Sequence, residues 1–240
     1  MDTHAPLFEL FWHNSKLNPH TAQQLERRIL VDAASYHPPA WRAQPDVDIQ
    51  LDDADTDQLN RRWPRASQRA FAERSFGRHD LSQLFEGFRS HETHHRGLAS
   101  GGGKYPVDLF GMAFQVDGED EGRVLGYHPE AHAFTRLGMA PAWHDCADML
   151  GRGIEGRPAL AVVLTVSSER STVKYGERGG RFALIEVGMH VQNLLLCMAQ
   201  AGMVGLPYAA YHDDTVRHWL LPDEPGARVA LVVLCGWAPG

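Results

Sequence analysis

Lys174-Tyr175-Gly176-Glu177-Arg178-Gly179-Gly180-Arg181 runs directly into an apolar stretch from Leu184 to Met203, and the pair decides which fold and which chemistry to look for. The apolar stretch holds too few polar residues for a helix half-exposed to water, so it reads as a core helix. The segment before it reads as a glycine-rich turn carrying an amine, a phenol and then two arginines. A neighbouring ammonium stabilises a tyrosinate, so Lys174 can lower the pKa of Tyr175 and make it a usable base. The competing reading is a solvated surface turn, because Lys, Arg and Gly are ordinary loop residues.

Working outward, Ala159 to Val166 is an almost continuous apolar run, which predicts a strand buried on both faces, and Arg228 to Gly236 is another. Val107–Val116, Arg123–Tyr127 and His132–Leu137 are β-like, with hairpin pairing around the turn at Asp117–Gly122 and its neighbours. Trp143 to Leu150 predicts a short helix. Leu81, Leu84, Phe85 and Phe88 mark another at helical spacing, and residues 61–72 read as a helix with a basic face. Residues 1–60 differ. Leu25, Ile29 and Leu30 keep helical spacing after Pro19, and the Pro- and Asp-rich stretch from Tyr36 to Asp57 reads as loop. The expectation is a helical N-terminal extension over 1–60 and an α+β domain over 61–240, its central sheet mostly antiparallel and flanked by helices.

With 240 residues, 43% of them hydrophobic and 22% charged, the chain has the profile of an ordinary globular protein. A net charge of −7 argues against nucleic acid as a partner, since neutralising phosphates needs a basic face. No secretory signal is evident. No unbroken apolar run reaches the roughly 18 residues that span a membrane. Cys146, Cys197 and Cys235 form no Cys-x-x-Cys pair and read as buried thiols in a reducing, cytoplasmic setting.

Four further groups could carry chemistry. Arg65, Ser67 and Arg69 offer forked guanidinium donors and a hydroxyl suited to a phosphate, with the two arginines on one face if the segment is helical. A solvated basic face is the alternative. Ser100-Gly101-Gly102-Gly103 lets a flat ligand approach the backbone closely, or is a plain surface linker. Gly202-Met203-Val204-Gly205-Leu206 follows the core helix, where a glycine ends helices in general. Arg228 heads the last strand. His91, His94 and His95 have the spacing of metal ligands on a helix but no second cluster to complete a site, so no metal is expected. A P-loop, a nucleophile elbow and a dinucleotide fingerprint after a strand are all lacking.

Taken in order, Arg65-x-Ser67-x-Arg69, Ser100–Pro106, Gly126-Tyr127-His128-Pro129-Glu130 and Lys174-Tyr175 resemble the motifs of the SagB-type dehydrogenases, the McbC-like azoline oxidases of the FMN-dependent nitroreductase superfamily. The resemblance covers roughly residues 60–240, and Phe11–Leu17 is similar to a segment that opens many of these proteins. It implies the nitroreductase fold and a homodimer with FMN at the subunit interface. It also implies oxidation of thiazoline or oxazoline rings to thiazoles or oxazoles in peptide natural-product biosynthesis, beside a cyclodehydratase. By the same resemblance Arg65, Ser67 and Arg69 grip the FMN phosphate and ribityl chain. Ser100, Gly101 and Gly102 lie along the flavin ring, Gly205 and Leu206 touch its edge, and Arg228 reaches the phosphate from the other side. Lys174 and Tyr175 are then the catalytic pair. Ala66 replaces a second Arg common in the family, so Arg61 or Arg62 shares the phosphate grip, and Ala99 replaces the usual Pro before the serine. The alternatives are an oxidoreductase of the same superfamily acting on a carrier-bound or free small molecule, and a flavin-free scaffold subunit.

Overall fold

A computed structural model of the chain describes residues 5–34, 67–90, 96–224 and 227–240. Its centre is a six-stranded sheet of β2 (Val107–Ala113), β3 (Arg123–His128), β4 (Ala133–Met139), β6 (Leu160–Val166), β7 (Val204–Tyr208) and β8 (Arg228–Gly236), in the order β4-β3-β2-β6-β8-β7. Every neighbouring pair is antiparallel. β6 is central, and all seven of its residues are buried, as a run with no polar face requires. β1 (Ala70–Phe71) and β5 (Glu155–Gly156) form a separate parallel pair.

Alternation along the strands sends neighbouring residues to opposite faces. Val162 and Leu164 face the layer built by α1 (Pro6–Ser15), α3 (Arg78–Phe85) and α6 (Glu177–Gln200). Ala161 and Val163 face the layer of α4 (Trp143–Leu150) and α7 (Asp213–Leu220). α1 joins the core through Ala5, Phe8 and Trp12, whereas α2 (Pro19–Ala34) buries none of its residues. α6 is long and apolar enough to cross a membrane by length and composition alone, yet ten of its residues are buried.

Two expectations are corrected. Residues 67–71 are not helical: Ser67 bridges Gly205 in parallel, and Ala70–Phe71 pair with Glu155–Gly156. Residues 61–66 of the expected helix, with Arg61, Arg62 and Arg65, lie outside the described residues, as do His91, His94 and His95 and the stretch from Tyr36 to Asp57. Second, Glu177–Arg181 is not a turn but the start of α6, which begins seven residues before Leu184. The chain break is the single residue Gly176, at φ 53 and ψ −139, between α5 (Glu169–Tyr175) and α6. Gly179 and Gly180 serve packing. A Cβ on Gly179 would stand 2.6 Å from the Ser171 backbone, and one on Gly180 would stand 2.3 Å from the Phe8 ring.

Candidate active site

Tyr175 ends α5 and Lys174 precedes it, and both side chains converge on the glycine loop. Gly101–Gly103 form a single 3-10 turn in which Gly102 and Gly103 take φ of 65 and 64. A Cβ on Gly102 would lie 2.3 Å from Tyr175 Oη and 3.0 Å from Lys174 Nζ. The absent side chain is what lets phenol and amine stand over bare backbone. Phe182, on the second turn of α6, packs its ring on Tyr175 edge to face at 5.2 Å and meets the open face of Gly101. Lys174 Nζ lies 5.1 Å from the Tyr175 ring centroid.

The loop is held from behind. The Tyr105 N–H donates to Ser100 Oγ at 2.7 Å, which supports the left-handed φ of 43 at Tyr105. Arg170 donates to the Tyr105 carbonyl at 2.9 Å and makes a forked pair with Asp108 at 2.9 and 2.8 Å. The Ser100 hydroxyl also lies toward Glu186, a buried carboxyl on α6. Burial pushes the Glu186 pKa up, against the pull of Ser100 and Arg96. Among the described residues its Oε1 has no hydrogen-bond partner. One turn on, His190 is buried, stacks on Phe88 and bonds the Glu186 carbonyl; burial pushes its pKa down to about 4.

Ser67, Arg69, Gly205 and Leu206 form a second group. Ser67 bridges Gly205, and the Gln68 N–H donates to the Gly205 carbonyl at 3.3 Å. Residues two apart in extended chain share a side, which puts Ser67 and Arg69 together. Both are exposed, and Arg69 makes no ion pair among the described residues. Leu206 is a buried core residue paired with Leu234, so only its backbone can meet a ligand.

The two groups lie at opposite ends of the sheet. Val107, Val166 and Arg228 stand side by side at the glycine-loop end, while Gly205 pairs with Cys235 at the other. The seven steps from Arg228 to Cys235 span about 23 Å of strand. The 24 residues of α6, which starts beside Tyr175 and ends just before β7, span about 36 Å. Arg228 therefore does not join Ser67 and Arg69. Within the chain its guanidinium holds Glu9 at 2.5 Å and Glu169 at 3.7 Å.

Sequence reasoning assigned no role to Phe182, Glu177 or Glu186. Phe182 becomes visible once Glu177–Arg181 is read as helix, because it then falls on the turn that faces Tyr175. Glu186 had a signal of its own, a lone carboxyl inside an apolar helix.

No family model matches the chain. It is 29% identical to MJ1384 of Methanocaldococcus jannaschii, a protein assigned as a nitroreductase, over 128 residues, which is 53% of this chain and 64% of that protein. It is 29% identical to the microcin B17-processing protein McbC of Escherichia coli over 146 residues, which is 59% of this chain and 54% of McbC. The matched stretches thus fall short of two thirds of either relative. Among solved structures it superimposes with a TM-score of 0.71 on a chain of the E. coli microcin synthetase McbBCD complex with truncated pro-MccB17 bound, at 20% identity over 88% of this chain and 82% of that one. A nitroreductase-assigned protein of Ralstonia eutropha superimposes at 0.62, with 18% identity over 82% and 88% of the two chains. By fold the chain is nitroreductase-like, and in sequence it is similar to McbC over a little more than half its length.

Proposed function

We propose that the chain is an FMN-dependent dehydrogenase that oxidises thiazoline or oxazoline rings to thiazoles or oxazoles, working as a homodimer. The observation that carries this reading is the convergence of Tyr175 Oη and Lys174 Nζ on the bare backbone of Gly102. A flat ring laid on that backbone would meet a proton acceptor and a cation together. FMN fits the residues present. The glycine loop leaves open the space a Cβ would fill, and exposed Ser67 and Arg69 offer donors for a phosphate. The two groups are too far apart in one chain for one mononucleotide to touch both. A second copy, related by two-fold symmetry, brings the Ser67 end of one chain to the glycine loop of the other. Leu7, Leu10 and Phe11 of α1, with Val173, Leu184 and Ile185, leave large apolar side chains exposed around α5 and α6, and these suit such a contact.

When bound, FMN supplies the acceptor for the hydride that leaves the azoline ring. The chain's own residues handle the proton. Tyr175 Oη takes it from the ring carbon, and Lys174 places its positive charge beside the phenol oxygen as that proton moves. Phe182 shields one edge of the phenol from water. The McbBCD complex holds truncated pro-MccB17; for this chain the substrate is a cyclised peptide and the partner a cyclodehydratase. The test is the mass of such a peptide after incubation with FMN-loaded protein. Wild type removes two hydrogens per ring. Tyr175→Phe binds FMN but loses turnover by about 10²–10⁴-fold; full turnover in that variant ends the assignment.

A further inference from the structure

Resting on that reading, we propose that helix α1 is a working part of the site, and that Glu177 is a positioning residue which clamps the α5–α6 elbow so that Lys174 and Tyr175 face the glycine loop.

α1 begins with no cap of its own. Ala5 stands at its N-cap without a side-chain hydrogen bond, and Pro6 has no N–H to satisfy. The next two amides are capped from 170 and 169 residues away. Leu7 N–H donates to Glu177 Oε1 at 2.9 Å and Phe8 N–H to Glu177 Oε2 at 2.8 Å. Glu177 is also the first residue of α6, so its carboxylate lies at the positive amino ends of two helices at once. It stands two residues from Tyr175, directly after the Gly176 break. Three further contacts tie the same helix to the same elbow. Phe8 fills the face that Gly180 leaves open. Glu9 pairs with Arg228, which also reaches Glu169 at the start of α5. Ser168 donates to Glu9 at 3.4 Å.

An isolated α5 of seven residues cannot hold its own direction, because helices this short are unstable in water. Gly176 adds a joint of high conformational freedom. Without α1, the two limbs meet only through the Gly179–Ser171 and Tyr175–Phe182 contacts among those described above, with α5 tied to the sheet by Arg170. With α1 in place, both limbs are fixed to one rigid element.

The test compares wild type, Glu177→Ala, Glu177→Gln, Gly180→Ala and Tyr175→Phe in the full chain. Hydrogen exchange is followed in FMN-free protein, and kcat, KM and FMN affinity in loaded protein. Glu177→Ala is expected to raise exchange in residues 6–12 and 172–182 together. It should lower kcat by about 10- to 100-fold, the scale of an ångström-level misplacement, with KM and FMN affinity unchanged. Glu177→Gln keeps one acceptor and falls between. Gly180→Ala displaces Phe8 without removing a charge and reproduces the loss, which covers the case of a misfolded Glu177→Ala. Wild-type kcat in both Glu177→Ala and Gly180→Ala, or faster exchange confined to 6–12, overturns the clamp. Full turnover by Tyr175→Phe instead overturns the reading of the activity, and the coupled exchange then decides for or against the clamp by itself.

Discussion

Gly102 and Gly103 make a matched pair of probes for the glycine loop. Both sit in the left-handed region, at φ 65 and 64, so an alanine at either position meets the same backbone penalty of about 1–2 kcal/mol. Their surroundings differ. A Cβ on Gly103 meets nothing within 4 Å, whereas one on Gly102 would lie 2.3 Å from Tyr175 Oη. Ordinary contact begins at 3.4 Å, so the phenol must retreat by about 1 Å. A half-exposed tyrosine tip can do that at little cost to folding. A misplacement of about 1 Å in a reacting group nevertheless costs up to about 100-fold in rate, equivalent to about 2.7 kcal/mol of barrier. Urea denaturation should therefore show the two variants equally destabilised, by about 1–2 kcal/mol. Single-turnover oxidation of an azoline peptide should be impaired in Gly102→Ala alone. Equal loss of turnover in both variants, or none in Gly102→Ala, would refute the steric argument.

Two other predictions follow from the split of the site and from its buried histidine. A mixture of Arg69→Ala and Tyr175→Phe chains, each inactive alone, should recover about a quarter of wild-type turnover on forming mixed dimers, since one of the two sites in each is then intact; no recovery would place the whole site within one chain. His190 is held neutral by burial, with its pKa at about 4 against an ordinary 6.5. The unfolded chain therefore binds its proton first, and stability falls as pH drops from 6.5 to 4, by about 3 kcal/mol in all. Glu186, raised by burial, acts with the opposite sign, so the difference between wild type and His190→Gln isolates the histidine. Parallel stability–pH curves for the two proteins would rule the effect out.

Residue order alone was enough for most strands of the sheet and for its mostly antiparallel character, but not for the edge strand β7. Strands β6 and β8 were legible as nearly continuous apolar runs, and α4 and α2 from their period and their punctuation. The resemblance placed both the glycine loop and the Lys174-Tyr175 pair beside one ligand, and the structure brings the two together at Gly102. Long-range packing settled the rest. Residues 67–71 are extended because Gly205 offers a bridge partner that local propensity cannot reveal. Glu177–Arg181 is helix despite its glycines because Phe8 and the Ser171 backbone fill the spaces those glycines leave. Arg228 answers to two carboxylates, one of them 219 residues away in sequence. The separation of the two candidate groups is set by the length of α6 and the register of β7 on β8. A linear motif carries no such distance, which is why four motifs in a row could suggest one site while the fold divides it between two ends of the sheet.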